Sequence, residues 1–145
     1  MPTYTCWSEP GVVSPEVRAQ IAKALTEIHH EVAVAPRYFV QVIFVELQPG
    51  SIFIAGEAAP AAHLWVRADI RAGRTAAQKH ELLGRITTEL GQLTGTGPEN
   101  VWVYINDIPG ANIAEYGRDL PDPGQEDAWF AALPPELQQS LRPLA

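Results

Sequence analysis

HLWVRADIRAGRTAAQKHELLGRITTELGQLTGTGPENVWVYI, residues 63–105, is the stretch on which the fold turns. His63 to Ile70 reads as a strand, short and rich in apolar residues. Thr75, with Gln78 three positions later, forms a capping box that starts a helix. Leu82, Leu83, Ile86, Leu90 and Leu93 then recur at helical spacing and define one apolar face. Gly95 and Gly97-Pro98 stop the helix, and Val101 to Ile105 reads as the next strand. A strand, a long crossover and a second strand predict a β-α-β unit with parallel strands.

About 61 residues earlier the same plan occurs. Thr3 to Ser8 reads as a strand. Ser14 caps a helix that has Pro15 at its first position, where the missing N–H costs nothing. Val17, Ile21, Leu25, Ile28 and Val32 form its apolar face to about Ala33, Pro36 ends it, and Tyr38 to Leu47 reads as a strand. Each half then carries a Pro-Gly turn, Pro49-Gly50 before Ser51-Ile52-Phe53-Ile54 and Pro109-Gly110 before Ala111-Asn112-Ile113-Ala114. The chain of 145 residues is therefore expected to be a single α+β domain of two halves, about 1–60 and 61–120, plus a C-terminal tail. Its expected core is one four-stranded sheet with two helices on one face. Val101 to Ile105, taken as a central strand, and Phe39 to Phe44 are apolar on both alternating faces, so the bare face calls for cover by oligomerisation. The tail after Leu120 is turn-rich, with a short helix around Glu136 to Leu141, and is expected to drape over the rim or a neighbour.

Composition narrows the function. Apolar residues make up 46% of the chain, enough to fill a core. A net charge of −7 argues against a nucleic-acid partner. No stretch approaches the roughly 20 apolar residues of a membrane span. The start lacks the basic and apolar regions of a secretion signal, and the single cysteine, Cys6, fits a reducing compartment. The expectation is a cytoplasmic protein. No His, Cys, Asp and Glu spacing matches a metal-ligand set.

Several residues could carry chemistry. If Met1 is removed, Pro2 exposes a secondary amine, the one backbone nitrogen able to titrate. Arg71-Ala72-Gly73-Arg74, read as a loop before the second helix, suits a carboxylate, although two solvated arginines would give the same pattern. His29 borders the apolar stripe near the end of the first helix, where a helix terminus favours a protonated imidazole. His30 points further round. Tyr104 lies on the fourth strand, and Glu115 follows the Pro109-Gly110 turn; such a pair can activate water.

Taken together, Pro2, His29, Arg71, Arg74, Tyr104 and Glu115 on a doubled β-α-β chain resemble the tautomerase superfamily, in its cis-3-chloroacrylic acid dehalogenase group. The likeness extends to Pro2-Thr3-Tyr4-Thr5-Cys6-Trp7-Ser8, His29-His30-Glu31, Gln41-Val42-Ile43-Phe44, Val101-Trp102-Val103-Tyr104-Ile105 and Glu115-Tyr116-Gly117-Arg118. Ile43, Phe44 and the Asn106–Gly110 loop are closer to a promiscuous homologue than to the dedicated dehalogenase, and Arg67 and Asp69 are departures. The resemblance implies a homotrimer that needs no cofactor. It implies that Arg71, Arg74 and His29 hold the carboxylate of a short unsaturated acid, that Glu115 with Tyr104 activates water, and that Pro2 protonates carbon. The runner-up is a keto–enol tautomerase with neutral Pro2 as base; a non-catalytic trimeric binding protein is a third reading.

Overall fold

The computed structural model describes residues 2–145; the expected loss of Met1 concerns a residue outside them. The chain runs β1 (Pro2–Ser8), α1 (Pro15–Ala33), β2 (Gln41–Glu46), β3 (Phe53–Ile54), β4 (Glu57–Ala58), β5 (Leu64–Arg71), α2 (Ala76–Thr94) and β6 (Val101–Ile108). It ends with β7 (Ala114–Glu115), β8 (Arg118–Asp119), α3 (Glu126–Ala131) and α4 (Pro135–Leu141). The main sheet has the order β2-β1-β5-β6. β1 is parallel to β2 and β5 to β6, as long helical crossovers require, while β1 and β5 are antiparallel with Pro2 opposite Ile70. The two units thus join through their first strands.

This joining corrects one expectation: β6 is an edge strand, not a central one. Two boundaries also move. Tyr38 and Phe39 belong to a 3₁₀ turn (Arg37–Phe39) rather than to β2. Arg71 is the last residue of β5, so the loop between β5 and α2 begins after it.

Details of the halves match at a spacing of 61 residues. The caps Ser14 and Thr75 both accept a backbone N–H, and Thr75 completes its capping box with Gln78. Both helices end on a left-handed residue, Val34 (φ 50°) and Gly95 (φ 70°). The hairpin tips Ala55-Gly56 and Tyr116-Gly117 all have positive φ, as tight two-residue hairpin turns require.

The core lies between the sheet and the helices. Tyr4, Cys6, Leu64, Val66, Ala68 and Ile70 meet Ile21, Leu25, Ile28, Leu82, Ile86 and Leu90, all buried. The opposite sheet face carries Ile43, Trp102 and Tyr104, 40%, 40% and 54% exposed. On the same face Trp7 and Trp65 stack at 4.5 Å. Apolar side chains grouped on one exposed face in this way suit contact with another protein surface. The tail makes a second cluster, in which Leu120, Leu133, Leu141, Trp129 and Phe130 pack on Ala35, Tyr38 and Phe39 of the same chain.

Candidate active site

Pro2 opens β1, an inner strand, and is buried. Tyr4 lies two residues on and so shares its face. Its hydroxyl meets His29 Nδ1 at 2.9 Å. His29 is 1% exposed. Burial first, and then the nearby Arg74 and Arg71 charges, lower its pKa to about 3. The imidazole is therefore neutral at pH 7, which corrects the expectation that the helix end favours its protonated form. Desolvation outweighs the helix terminus here. His30 instead serves the helix end, its Nδ1 lying 2.7 Å from the Ala35 carbonyl oxygen.

The arginine loop is more buried than its charge suggests. Arg71 donates from Nη2 to Glu126 Oε1 at 2.5 Å and from Nη1 to the Pro121 carbonyl, with its side chain 1% exposed. Its Nε has no partner among the described residues. Arg74, just before the cap of α2, is 9% exposed, and its Nε is likewise unpartnered. Burial and the Arg71 charge lower the Arg74 pKa, partly opposed by Glu126 and Asp107. Gly73 separates the arginines with φ +108°, and a Cβ there would come within 2.9 Å of Pro123 Cγ. Only glycine lets the tail lie this close on the loop. Arg74, Gly73, Pro123 and Glu126 line a cleft of about 630 Å³.

Glu115 ends β7, beside the Tyr116-Gly117 hairpin tip. The Tyr116 hydroxyl donates to the Tyr38 carbonyl and ties the hairpin to the turn before β2. Glu115 lines a second cleft, of about 550 Å³, together with Thr3, Gln41 and Tyr38. Thr3 and Gln41 are cross-strand partners next to Pro2. Pro2, His29, Arg71, Arg74 and Glu115 thus gather at one end of the sheet, with Arg74 and Glu115 on separate clefts.

These features agree with known proteins. The family model described as "Putative oxalocrotonate tautomerase enzyme" matches residues 1–132. A crystal structure of N1, a member of the cis-3-chloroacrylic acid dehalogenase family, is 51% identical over 98% of this chain and 99% of its own, with a TM-score of 0.96. The chain belongs to the tautomerase superfamily, in its cis-3-chloroacrylic acid dehalogenase group. Native Ps01740 is 37% identical over 78% of this chain and 99% of its own, with a TM-score of 0.73. The F6 fused 4-OT, a wild-type asymmetric trimer, is 26% identical over 81% of this chain and 94% of its own, with a TM-score of 0.73. A search of the curated proteins finds no match.

One candidate of this tautomerase-superfamily chain stands apart. Tyr104 pairs with Arg67, whereas Pro2, Ile70 and Asp107 form one row across β1, β5 and β6. Three residues along the strand and two strands across place Tyr104 roughly 14 Å from Pro2. It lies on the open face, edge-on to Trp65 at 5.8 Å. Arg67 and Asp69 pair with each other at 2.9 Å on that face, and Asn106 donates to Asp69. Two residues of the site escaped sequence reading. Tyr4 was detectable from the two-residue period of β1. Glu126, 55 residues from Arg71, has no spacing signal. Among the described residues no group of three or more His, Cys, Asp or Glu is placed to hold a metal, and no helix is long and apolar enough to cross a membrane.

Proposed function

We propose that this chain is a cofactor-independent enzyme that adds water to short unsaturated three-carbon acids. The observation that carries the proposal is the pair of buried guanidiniums, Arg71 and Arg74, whose Nε–H groups lack an acceptor among the described residues. Buried donors without partners are costly, and a substrate carboxylate supplies what they lack. The neutral imidazole fits beside them. In the tautomer that accepts the Tyr4 hydroxyl at Nδ1, the proton of His29 sits on Nε2, where it can be donated to a carboxylate.

With the carboxylate held, electron density is drawn from the unsaturated bond and C3 becomes electrophilic. Glu115 takes a proton from water as its oxygen attacks C3, and cationic Pro2 delivers a proton to C2. cis-3-Chloroacrylate then loses chloride and a proton to give malonate semialdehyde. Propiolate gives the enol of the same product, and decarboxylation yields carbon dioxide and acetaldehyde. Tyr104, roughly 14 Å from Pro2 across the sheet, is not placed to act at the Pro2 site of its own protomer. In a homotrimer the open aromatic face meets neighbouring copies, and Tyr104 serves a site that is not its own. The asymmetric trimer of the 26% identical fused 4-OT supports that assembly.

Proton NMR of products from propiolate and from cis- and trans-3-chloroacrylate tests the proposal. Malonate semialdehyde or acetaldehyde from propiolate is the expected result; unchanged propiolate refutes it. The description of the matching family model favours one second reading, a keto–enol tautomerase with neutral Pro2 as base. A 2-hydroxydienoate included in the same experiment separates the two, since only that reading makes its ketonisation the main activity.

A further inference from the structure

The two guanidiniums of the loop are not equivalent. Arg71 already has a carboxylate, Glu126, and a carbonyl, Pro121, from its own chain. No hydrogen bond from Arg74 to a described residue occurs, and Arg74 opens onto the cleft that Glu126 also lines. We propose that Glu126 is a specificity-determining residue: its carboxylate is a fixed counter-ion to Arg71, so the site takes one carboxylate at Arg74 and rejects dicarboxylates. This rests on the reading of the arginines as the substrate clamp.

Charge counting carries the inference. The two buried arginines and the half-buried Glu126 leave a single positive charge on the loop, His29 adds none while neutral, and Asp127 on the same cleft adds only negative charge. Asp107, the other acidic group acting on Arg74, is itself paired with Lys79. One net positive charge matches a monocarboxylate. The second carboxylate of a dicarboxylate would face another anion, Glu126 on the arginine side or Glu115 beyond Pro2, and like charges repel.

The segment that carries Glu126 is held in place. Pro123 rests on Gly73 with no room for a Cβ between them. Trp129, three residues after Glu126, donates from Nε1 to the Asp119 carbonyl at 2.9 Å and packs on Phe39 at 5.0 Å. Glu126 is therefore held by its backbone beside the loop, with its carboxylate on Arg71.

Chemical-shift titration of the wild-type protein, Glu126→Gln and Glu126→Asp with propionate and with succinate tests this. These saturated acids bind without reacting. Wild type is expected to bind propionate at least tenfold more tightly than succinate. Glu126→Gln should shrink that ratio about tenfold, and Glu126→Asp, which keeps the charge, should retain it. Glu126→Met gives the same reading if the glutamine variant does not fold. An unchanged ratio in the neutral variants overturns the proposal, as does equal tightening of both acids, which would mean that Glu126 merely blocks the site. Wild type that binds neither acid sinks the clamp reading and this inference together. Wild type that hydrates propiolate while the ratio stays fixed sinks this inference alone.

Discussion

Replacing Arg74 with methionine should separate what this residue does for substrate from what it does for stability. Methionine keeps much of the apolar stem and removes the guanidinium. The guanidinium is buried beside another cation and has an unpartnered Nε. Replacing an imperfectly compensated buried charge by a packed apolar side chain is neutral to stabilising, here by about 1 kcal/mol. In a chain of this size that corresponds to a melting temperature unchanged or raised by about 3 °C. The lost contact to the substrate carboxylate should cost at least ~2 kcal/mol of transition-state binding, roughly thirtyfold in kcat/KM. Arg71→Met makes the contrast. The Arg71 and Glu126 side chains are 1% and 13% exposed, so solvent screens the pair little. The orphaned Glu126 carboxylate should cost about 3–5 kcal/mol, a fall of roughly 10–15 °C. Differential scanning calorimetry and NMR-followed propiolate hydration provide both readings. If Arg74→Met melts clearly below wild type while its kcat/KM stays unchanged, Arg74 is a structural residue and the reasoning fails.

Glu115→Gln should nearly abolish hydration yet spare ketonisation by Pro2. The wild-type hydration rate should show a bell-shaped pH profile, because the step needs one ionised base and one protonated acid at once. A hydration rate in Glu115→Gln equal to wild type removes Glu115 from the mechanism. The depressed His29 pKa predicts a stability effect with a definite sign. Between its ordinary value of 6.5 and the folded value of about 3, only the unfolded chain takes up the proton. Stability should therefore fall as pH falls through that window, by up to about 1.4 kcal/mol per pH unit. His29→Gln should lack that component, so urea melts of the two proteins at pH 7 and pH 5 should differ in slope; parallel losses would show that His29 is charged when folded. Sedimentation equilibrium should give a trimer at micromolar concentration, and Trp102→Glu on the open face should weaken it; a stable wild-type monomer would leave Tyr104 without a site to serve.

The elements were legible in sequence because their signals are local. A capping box, a proline at a first helical position and leucines at helical spacing each act within a few residues. The doubling at 61 residues then made one reading check the other. Boundaries failed where tertiary contact overrode the pattern. Tyr38 and Phe39 look like strand residues, but the tail cluster with Trp129 and Phe130 draws both rings into a 3₁₀ turn. β6 looked central because it is apolar on both faces, and a surface shaped for a neighbour gives the same pattern as an inner strand.

The candidate site divides in the same way. Residue types and their order sufficed to nominate Pro2, His29, Arg71, Arg74, Tyr104 and Glu115, and the sequence by itself determined the two β-α-β units that carry them. The protonation of His29 and the inequality of the two arginines were decided by tertiary structure. So were the remoteness of Tyr104 from Pro2 in its own protomer and the presence of Glu126. The physical reason is that charge state depends on desolvation and on neighbours distant in sequence. A helix end seen alone favours a histidine cation, but the same histidine buried against two arginines stays neutral. An arginine read as a substrate clamp can already hold a carboxylate that the chain delivers from 55 residues away.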